Sequence, residues 1–144
     1  MTVNEDRFVK MNFIVVVFLF ALSELAAGQS AADLAAYKQM QQACIKELNI
    51  AANDANLLTT DKEVANPSES VKCYHSCVYK KLGLLGDDGK PNADKIVKFA
   101  QLRFSSVPVD KLKSLLNSCG ATKSSTTCDF VFNYEKCVVK GFSA

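Results

Sequence analysis

The sequence predicts an all-α domain, a compact bundle of about six helices stapled by three disulfides. Several segments repeat apolar residues at the three- and four-residue spacing of amphipathic helices, and no segment shows sustained alternation with period two. Six cysteines follow an apolar N-terminal run, which is typical of a secreted chain crosslinked by three disulfides. The length of 144 residues suits a single domain.

The N-terminus has the organisation of a secretory signal peptide. An apolar run, 13–22, follows a mixed-charge lead and is too short for a membrane span, which takes about 20 residues. Small residues, 26–28, precede Gln29, so we expect cleavage directly before Gln29. The predicted domains are a cleaved signal peptide, 1–28, and a helical domain, 29–144, with an uncleaved signal anchor as the alternative. The two candidate start residues are Met1 and Met11.

The helical pattern is clearer in the first predicted segment than in the second. The segment 29–50 begins with a cap-like sequence and then repeats apolar residues at helical spacing. The segment 51–64 is short and polar, and we expect one or two helical turns followed by a loop. The residues that define the inward face of the first helix are Leu34, Tyr37, Gln41, Cys44, Ile45 and Leu48.

The third predicted helix, 67–85, has a clear start. Asn66 is a favourable N-cap residue, and Pro67 suits the first helical position because its missing N–H needs no partner there. We expect this helix to stop by Gly83 or Gly86, since glycine commonly ends helices.

Three further helices are predicted in the C-terminal half, over 92–104, 109–118 and 127–139. The last is apolar nearly all round, so we expect it to be buried. The segment 86–91 contains two aspartates, but it lacks the alternating oxygen ligands and final glutamate of a calcium-binding loop. We interpret it as a solvated turn.

The composition argues against two kinds of partner. The formal net charge is +2 at pH 7, and no basic stripe concentrates it, so nucleic acid is not expected to bind. No second apolar run is long enough to span a membrane, so we expect the mature chain to be soluble and extracellular.

The sequence marks no catalytic or metal site. His75 is the single histidine, and nothing marks a serine that would complete a hydrolytic triad with it. Zinc binding by Cys73, His75 and Cys77 fails, because position 75 points away from the cysteines on a helix and oxidised cysteines do not bind metal. We expect no enzyme activity, cofactor or metal. We interpret His75 as a surface or half-buried helix residue, with a pH switch as the alternative.

The six cysteines follow the spacing Cys-x28-Cys-x3-Cys-x41-Cys-x8-Cys-x8-Cys. Six cysteines permit fifteen pairings. Cys128 and Cys137 lie roughly 13 Å apart along one predicted helix, whereas a disulfide joins Cα atoms within about 7 Å. Cys73 and Cys77 point the same way from one helix, which disfavours their pairing. These two exclusions leave about ten pairings open.

This spacing, on a signal-bearing all-helical chain, resembles the insect odorant-binding proteins of the general-odorant and pheromone-binding superfamily. The resemblance covers the whole mature chain, and the x3 and second x8 spacings are its most specific elements. It implies that the cysteines pair first to third, second to fifth and fourth to sixth. The implied disulfides are Cys44–Cys77, Cys73–Cys128 and Cys119–Cys137.

The resemblance also implies an apolar pocket that the helices enclose and the C-terminal tail closes. Counted from the cysteines, its lining falls on Tyr37, Phe99, Leu116, Tyr134 and Val138. Amphipathic phase adds Leu57, Leu102, Leu112, Phe130 and Phe132, and Phe142 in the tail would cover the mouth. Tyr37 and Tyr134 are the preferred polar contacts, because a buried hydroxyl needs a hydrogen-bond partner. Ordinary core packing is the alternative for each of these residues.

The expected function is that of a secreted carrier of small hydrophobic ligands, such as odorants, pheromones or lipid-like molecules, in chemosensation. Its expected location is an extracellular fluid, for example sensillar lymph or haemolymph. Beyond the ligand, the expected partner is a membrane chemoreceptor, reached indirectly, and the expected state is a monomer or weak homodimer. The alternative is a secreted signalling or interaction protein, reproductive or humoral, that acts through the surface of the same scaffold.

Overall fold

The computed structural model describes residues 30–143. The predicted signal peptide, its cleavage site and the last residue lie outside the described residues. The chain divides into two units, Met1–Ala36 and Tyr37–Ala144. Of the first unit the structure describes 30–36, which are helical. The second unit contains the core and the candidate site.

The described part of the chain contains six helices and no strand, which confirms the predicted all-α fold. A single bridge between Leu85 and Pro91 closes the turn before the fourth helix. The helices are α1 (30–47), α2 (Ala52–Thr59), α3 (Glu69–Lys81), α4 (Ala93–Arg103), α5 (Val109–Cys119) and α6 (Thr127–Ser143).

Local capping decides where α3 begins and ends. The predicted cap at Asn66 is wrong, because Asn66 adopts a left-handed backbone with φ of 53°. The cap is Ser68, whose hydroxyl accepts a hydrogen bond from the Val71 amide at 3.2 Å. At the other end, Gly83 follows the helix with φ of 68°, a conformation that glycine adopts without steric cost. The predicted stop at Gly83 is therefore confirmed.

The last helix, α6, extends beyond its predicted end at about Val139. A Cβ atom at Gly141 would lie 2.6 Å from both methyl carbons of Leu115, so glycine at this position allows α6 to lie close to α5. One residue later, the ring of Phe142 packs on Phe104 with centroids 4.5 Å apart. Within the described residues the C-terminal segment is therefore helix rather than a free tail.

Three disulfides connect four of the six helices. Cys44–Cys77 joins α1 to α3, Cys73–Cys128 joins α3 to α6, and Cys119–Cys137 joins α5 to α6. These are the pairs that the family resemblance implies. The helices α3 and α6 are each crosslinked twice, and among the helices α2 to α6 they also share the most extensive contact.

Two apolar clusters form the core. The α4–α6 cluster packs α4, α5 and α6 around the end of α3, and its buried members are Tyr79, Leu84, Leu85, Ile96, Ala100, Leu112, Leu116, Cys119, Val131, Tyr134 and Val138. The α1–α3 cluster has as buried members Cys44, Leu58, Val64, Val71, Tyr74 and Val78. Leu82, directly after α3, packs against both clusters.

The prediction that α6 is apolar nearly all round is wrong. Lys136 and Lys140 are exposed, while the acidic residue Glu135 is only 2% exposed. A buried carboxylate is costly unless it is paired and hydrogen-bonded. The partners of Glu135 therefore define the first part of the candidate site.

Candidate functional site

A buried ionic network connects four parts of the chain. The Nη1 of Arg103, at the end of α4, donates hydrogen bonds to both carboxylate oxygens of Glu135 at 3.0 Å. Its Nη2 donates to Asp61, just after α2, at 2.9 Å. The hydroxyl of Tyr79 on α3 also donates to Glu135. Because the Arg103 side chain is only 7% exposed, these hydrogen bonds replace those that water would make.

The network keeps its charges despite burial. Burial alone would raise the pKa of the Glu135 carboxyl, but the charge of Arg103 outweighs it and holds the pKa below its usual range. Burial alone would lower the pKa of Arg103, but the facing carboxylates raise it. The pKa of Tyr79 is raised, chiefly by burial and then by the charge of Glu135, so its hydroxyl remains a neutral donor.

Aromatic rings surround the Arg103 guanidinium. Its central carbon lies 5.7 Å from the ring centroid of Tyr37, 5.4 Å from that of Phe99 and 5.0 Å from that of Phe104. Tyr37 and Phe99 meet edge to face, with centroids 5.0 Å apart. Two of the predicted pocket residues, Tyr37 and Phe99, thus come together at a buried cation.

Two hydroxyls lie beside this network. The Gln41 side-chain amide donates to the Tyr37 hydroxyl at 3.1 Å, and burial raises the pKa of Tyr37 to about 12. The Tyr74 hydroxyl is buried, at 1% exposure of the residue, and makes no hydrogen bond of good geometry among the described residues, although the nearby Gln41 side chain acts to lower its pKa against the larger rise caused by burial. An unpaired buried hydroxyl is unfavourable, because it has lost water without gaining a partner in the protein.

A cleft of about 460 Å³ lies against the network, between the α2–α3 segment, α3 and α6; we call it the α2–α6 cleft. Residues of α6 enter it at spacings of three and four, which places them on one helix face. Its lining residues are Leu58, Asp61, Lys62, Glu63, Val64, His75, Phe132, Glu135, Lys136, Val139 and Lys140.

The α2–α6 cleft has a buried end and an exposed end. At the buried end are His75 and Glu135, and at the exposed end Glu63 forms an ion pair with Lys136. The hydrogen bond from Lys136, followed by its charge, lowers the pKa of Glu63. Within residues 30–143, the lining cations Lys62 and Lys140 have no ion-pair partner.

The single histidine is a half-buried residue of the cleft wall. Burial lowers the pKa of His75, while the charge of Glu135 acts in the opposite direction. The imidazole is therefore neutral near pH 7, and its ring lies 4.9 Å from that of Tyr74. His75 offers a neutral hydrogen-bonding group to the cleft.

The eleven predicted pocket residues lie in different places. Phe132 lines the α2–α6 cleft. Two others, Tyr37 and Leu57, pack with Phe132 against the α1–α3 cluster. Leu102 is half-buried. The remaining seven belong to the α4–α6 cluster or pack against it, namely Phe99, Leu112, Leu116, Phe130, Tyr134, Val138 and Phe142.

Sequence reasoning missed Arg103, Glu135 and the Tyr74 hydroxyl. One signal was available: Glu135 interrupts an apolar helix that is predicted to be buried, and a buried acid requires a cationic partner. Its partner Arg103 is 32 residues away in sequence, so neither helix by itself identifies the pair.

The fold and disulfide pattern agree with a match to a known family. Residues 26–141 match the PBP/GOBP family. The chain belongs to the PBP/GOBP family. Odorant-binding protein 10 of Aedes aegypti is 26% identical over 125 residues, which cover 87% of this chain and 86% of that protein. General odorant-binding protein 56a of Drosophila melanogaster is 28% identical over 126 residues, covering 83% and 86%.

Solved structures agree with membership of the PBP/GOBP family. The fatty acid binding protein OBP56a from the oral disk of the blowfly Phormia regina matches with a TM-score of 0.60 at 25% identity, over 78% of this chain and 93% of that one. The odorant-binding protein dmelOBP28a from Drosophila melanogaster matches with a TM-score of 0.64 at 19% identity, over 79% and 95%. At this low identity the second match shows the fold alone.

The PBP/GOBP relatives are non-enzymatic binding proteins, and the chain is not an enzyme. Between residues 30 and 143, no group of three or more potential ligand residues is arranged to hold a metal ion. None of the helices in that range has the length and apolar character to cross a membrane.

Proposed function

We propose that this protein is a secreted carrier that binds small hydrophobic ligands in its interior and delivers them in chemosensation. The observation that carries the proposal is the PBP/GOBP match over residues 26–141, because the relatives found with it are named odorant-binding proteins. The blowfly relative is a fatty acid binding protein, which supports lipid-like ligands beside volatile ones. Removal of 1–28 would release the chain into sensillar lymph or haemolymph.

Binding would combine an apolar contribution with a few oriented polar contacts. Burial of apolar ligand surface contributes about 25 cal/mol per Å². For an uncharged ligand such as an alcohol or ester, the neutral imidazole of His75 in the cleft wall supplies a hydrogen bond that orients the polar group. The eleven predicted residues described above stay proposed ligand contacts, with Phe132 in the α2–α6 cleft the best placed.

Release would require movement of the segment between α2 and α3, because this segment contributes four adjacent residues to the cleft wall. Within the described residues α6 continues to Ser143, so closure by a free C-terminal tail is not part of the proposal. We further propose that the carrier acts as a monomer or weak homodimer and transfers its ligand to a membrane chemoreceptor.

The test is a dye-displacement titration. The full chain is expressed in insect cells, the protein is purified from the medium, and an environment-sensitive apolar dye is displaced by alcohols, esters, aldehydes and fatty acids. We expect saturable binding in the micromolar range, weakened by Phe132→Ala, Phe99→Ala or Leu116→Ala. The exposed-residue control Val109→Ala should bind as the wild type does.

Absence of saturable binding would reject the carrier proposal, provided that the protein has helical circular dichroism and no free thiols. That outcome would favour the alternative of a signalling or interaction protein on the same scaffold. Failure to reach the medium would reject the proposed secretion.

A further inference from the structure

We propose that the α2–α6 cleft binds an amphipathic anion, such as a long-chain carboxylate, with its headgroup at the exposed end between Lys62 and Lys140. The hydrocarbon chain would lie along the apolar walls toward His75. This inference rests on the proposed carrier function and adds the chemical class, position and orientation of the ligand.

The unmatched charge of the cleft is positive. Each acid in its lining already has a cation: Glu63 pairs with Lys136, while Asp61 and Glu135 share Arg103. Lys62 and Lys140 also line the cleft, and no ion-pair partner is found for either among residues 30–143. An anionic group placed between them would meet two cations that form no ion pair within the described residues, although the charge of Lys140 also acts on Glu63.

The buried end does not accept an anion. Arg103 faces two carboxylates, Asp61 and Glu135, so the three side chains together carry a net negative charge. A further carboxylate there would be repelled and would lose its hydration without a new cation. The ligand therefore has one favourable orientation, with its charge outward.

The walls between the two ends suit an alkyl chain. Leu58 and Val64 line the cleft on the side of α2 and the following loop, while Phe132 and Val139 line it on α6. The side chains of lysine present methylene groups to apolar surface while their ammonium groups stay in water, which extends these walls outward. The volume of about 460 Å³ lies in the usual range of small-molecule sites.

The buried end also tolerates an apolar terminus. Glu135 receives two hydrogen bonds from Arg103 and one from Tyr79, so its carboxylate is already satisfied without water. His75 is neutral near pH 7 and imposes no charge on the chain end. The cleft therefore changes from charged to neutral along its length, as an amphipathic anion does.

The experiment compares three probes of equal chain length: dodecanoate, dodecanol and methyl dodecanoate. Each displaces the apolar dye from protein purified after expression of the full chain. The test variant is the double substitution Lys62→Gln and Lys140→Gln. The matched control, Lys111→Gln with Lys113→Gln, removes the same charge from exposed positions on α5 that lie outside the cleft lining.

We expect the test variant to raise the Kd for dodecanoate about tenfold, the scale of two partly exposed ion pairs. The Kd values for dodecanol and the methyl ester should change less than about twofold, and the control variant should leave all three unchanged. Raising the salt concentration from about 0.05 to about 0.5 M should weaken the binding of dodecanoate but not of the two uncharged probes, because salt screens exposed charges. Phe132→Ala should weaken the binding of all three probes, since it removes part of the cleft wall that each of their alkyl chains would contact.

Any of three outcomes would overturn the inference. The control variant could lose dodecanoate binding, the test variant could lose the binding of all three probes equally, or the test variant could bind dodecanoate as the wild type does. If dodecanol binds and dodecanoate does not, the inference fails and the carrier function stands. If none of the probes binds to helical protein without free thiols, the carrier function itself fails.

Discussion

The two ends of the α2–α6 cleft contain the same kind of ion pair in opposite surroundings. Glu135 and Lys136 are neighbours in sequence, yet the Glu135 side chain is 3% exposed and pairs with Arg103, whereas the Lys136 side chain is 51% exposed and pairs with Glu63. A buried charge that loses its partner is strongly destabilising, while an exposed pair contributes little. The burial of each ion pair, rather than the kinds of charge in it, therefore determines how much its loss destabilises the protein.

Removal of the buried acid should have the largest effect. Glu135→Ala leaves Arg103 with Asp61 alone and leaves the Tyr79 hydroxyl without its acceptor. We expect the free energy of unfolding to fall by about 3–5 kcal/mol. Urea denaturation with intact disulfides measures this change. A loss below about 1 kcal/mol would show that the buried pair behaves like an exposed one.

As the pH falls, stability contributed by the buried end of the cleft should be lost before that contributed by the exposed end. Because the pKa of folded His75 is lowered, the unfolded chain binds the proton first, so stability declines as pH falls from about 6.5 toward the lowered value. Each unit of pKa difference corresponds to about 1.4 kcal/mol. Glu135, whose folded pKa is lowered, contributes stability that is lost at still lower pH, as pH falls through its folded pKa. The charged groups that act on His75 are Glu135, Arg103 and Asp61.

The check is the free energy of unfolding measured between pH 7.5 and 5 for the wild type and His75→Asn. The variant should lose the decline between pH 6.5 and the lowered pKa. The same slope in both proteins would contradict the assignment to His75.

Removal of an unpaired hydroxyl should stabilise the protein without ligand. Tyr74→Phe deletes a buried oxygen that has no partner among the described residues. We expect a gain of about 1 kcal/mol in the free energy of unfolding. Tyr37→Phe is the matched comparison, because the Tyr37 hydroxyl accepts a hydrogen bond from Gln41 and its loss should destabilise. Destabilisation by both substitutions would mean that the Tyr74 hydroxyl has a partner in solution.

The exposed pair should have the smallest effect. Glu63→Gln removes the carboxylate that Lys136 contacts, and both groups then remain hydrated. We expect the urea midpoint to stay within experimental error of the wild type. A decrease in the urea midpoint as large as that of Glu135→Ala would show that the exposed pair stabilises the protein as much as the buried pair does.

Much of the fold could be predicted because its signals are local. The start of α4 is one example: Asn92 caps the helix by accepting a hydrogen bond from the Lys95 amide at 3.1 Å. The end of α6 could not be read in this way, because it depends on the contact between Gly141 and Leu115 on another helix. The start of α3 differs from the prediction because the backbone at Asn66 is left-handed and Ser68 caps the helix instead.

The candidate site was harder to predict than the fold. Its central pair joins residues 32 positions apart, and the bond from Arg103 to Asp61 joins residues 42 positions apart. Apolar periodicity identifies which helix faces turn inward, but it does not predict that an acidic residue such as Glu135 lies on such a face. It also cannot distinguish a residue that lines a cleft, such as Phe132, from one that fills the core, such as Leu112.

The position of α3 between the two apolar clusters has a consequence for cooperativity. Tyr74 and Val78 belong to one cluster, Tyr79 belongs to the other, and Leu82 contacts both. Neither cluster can come apart without exposing part of the helix that completes its neighbour, and disulfides fasten that helix to α1 and α6. The two clusters should therefore melt together in a single transition, and amide protons of α3 should be among the slowest to exchange with solvent.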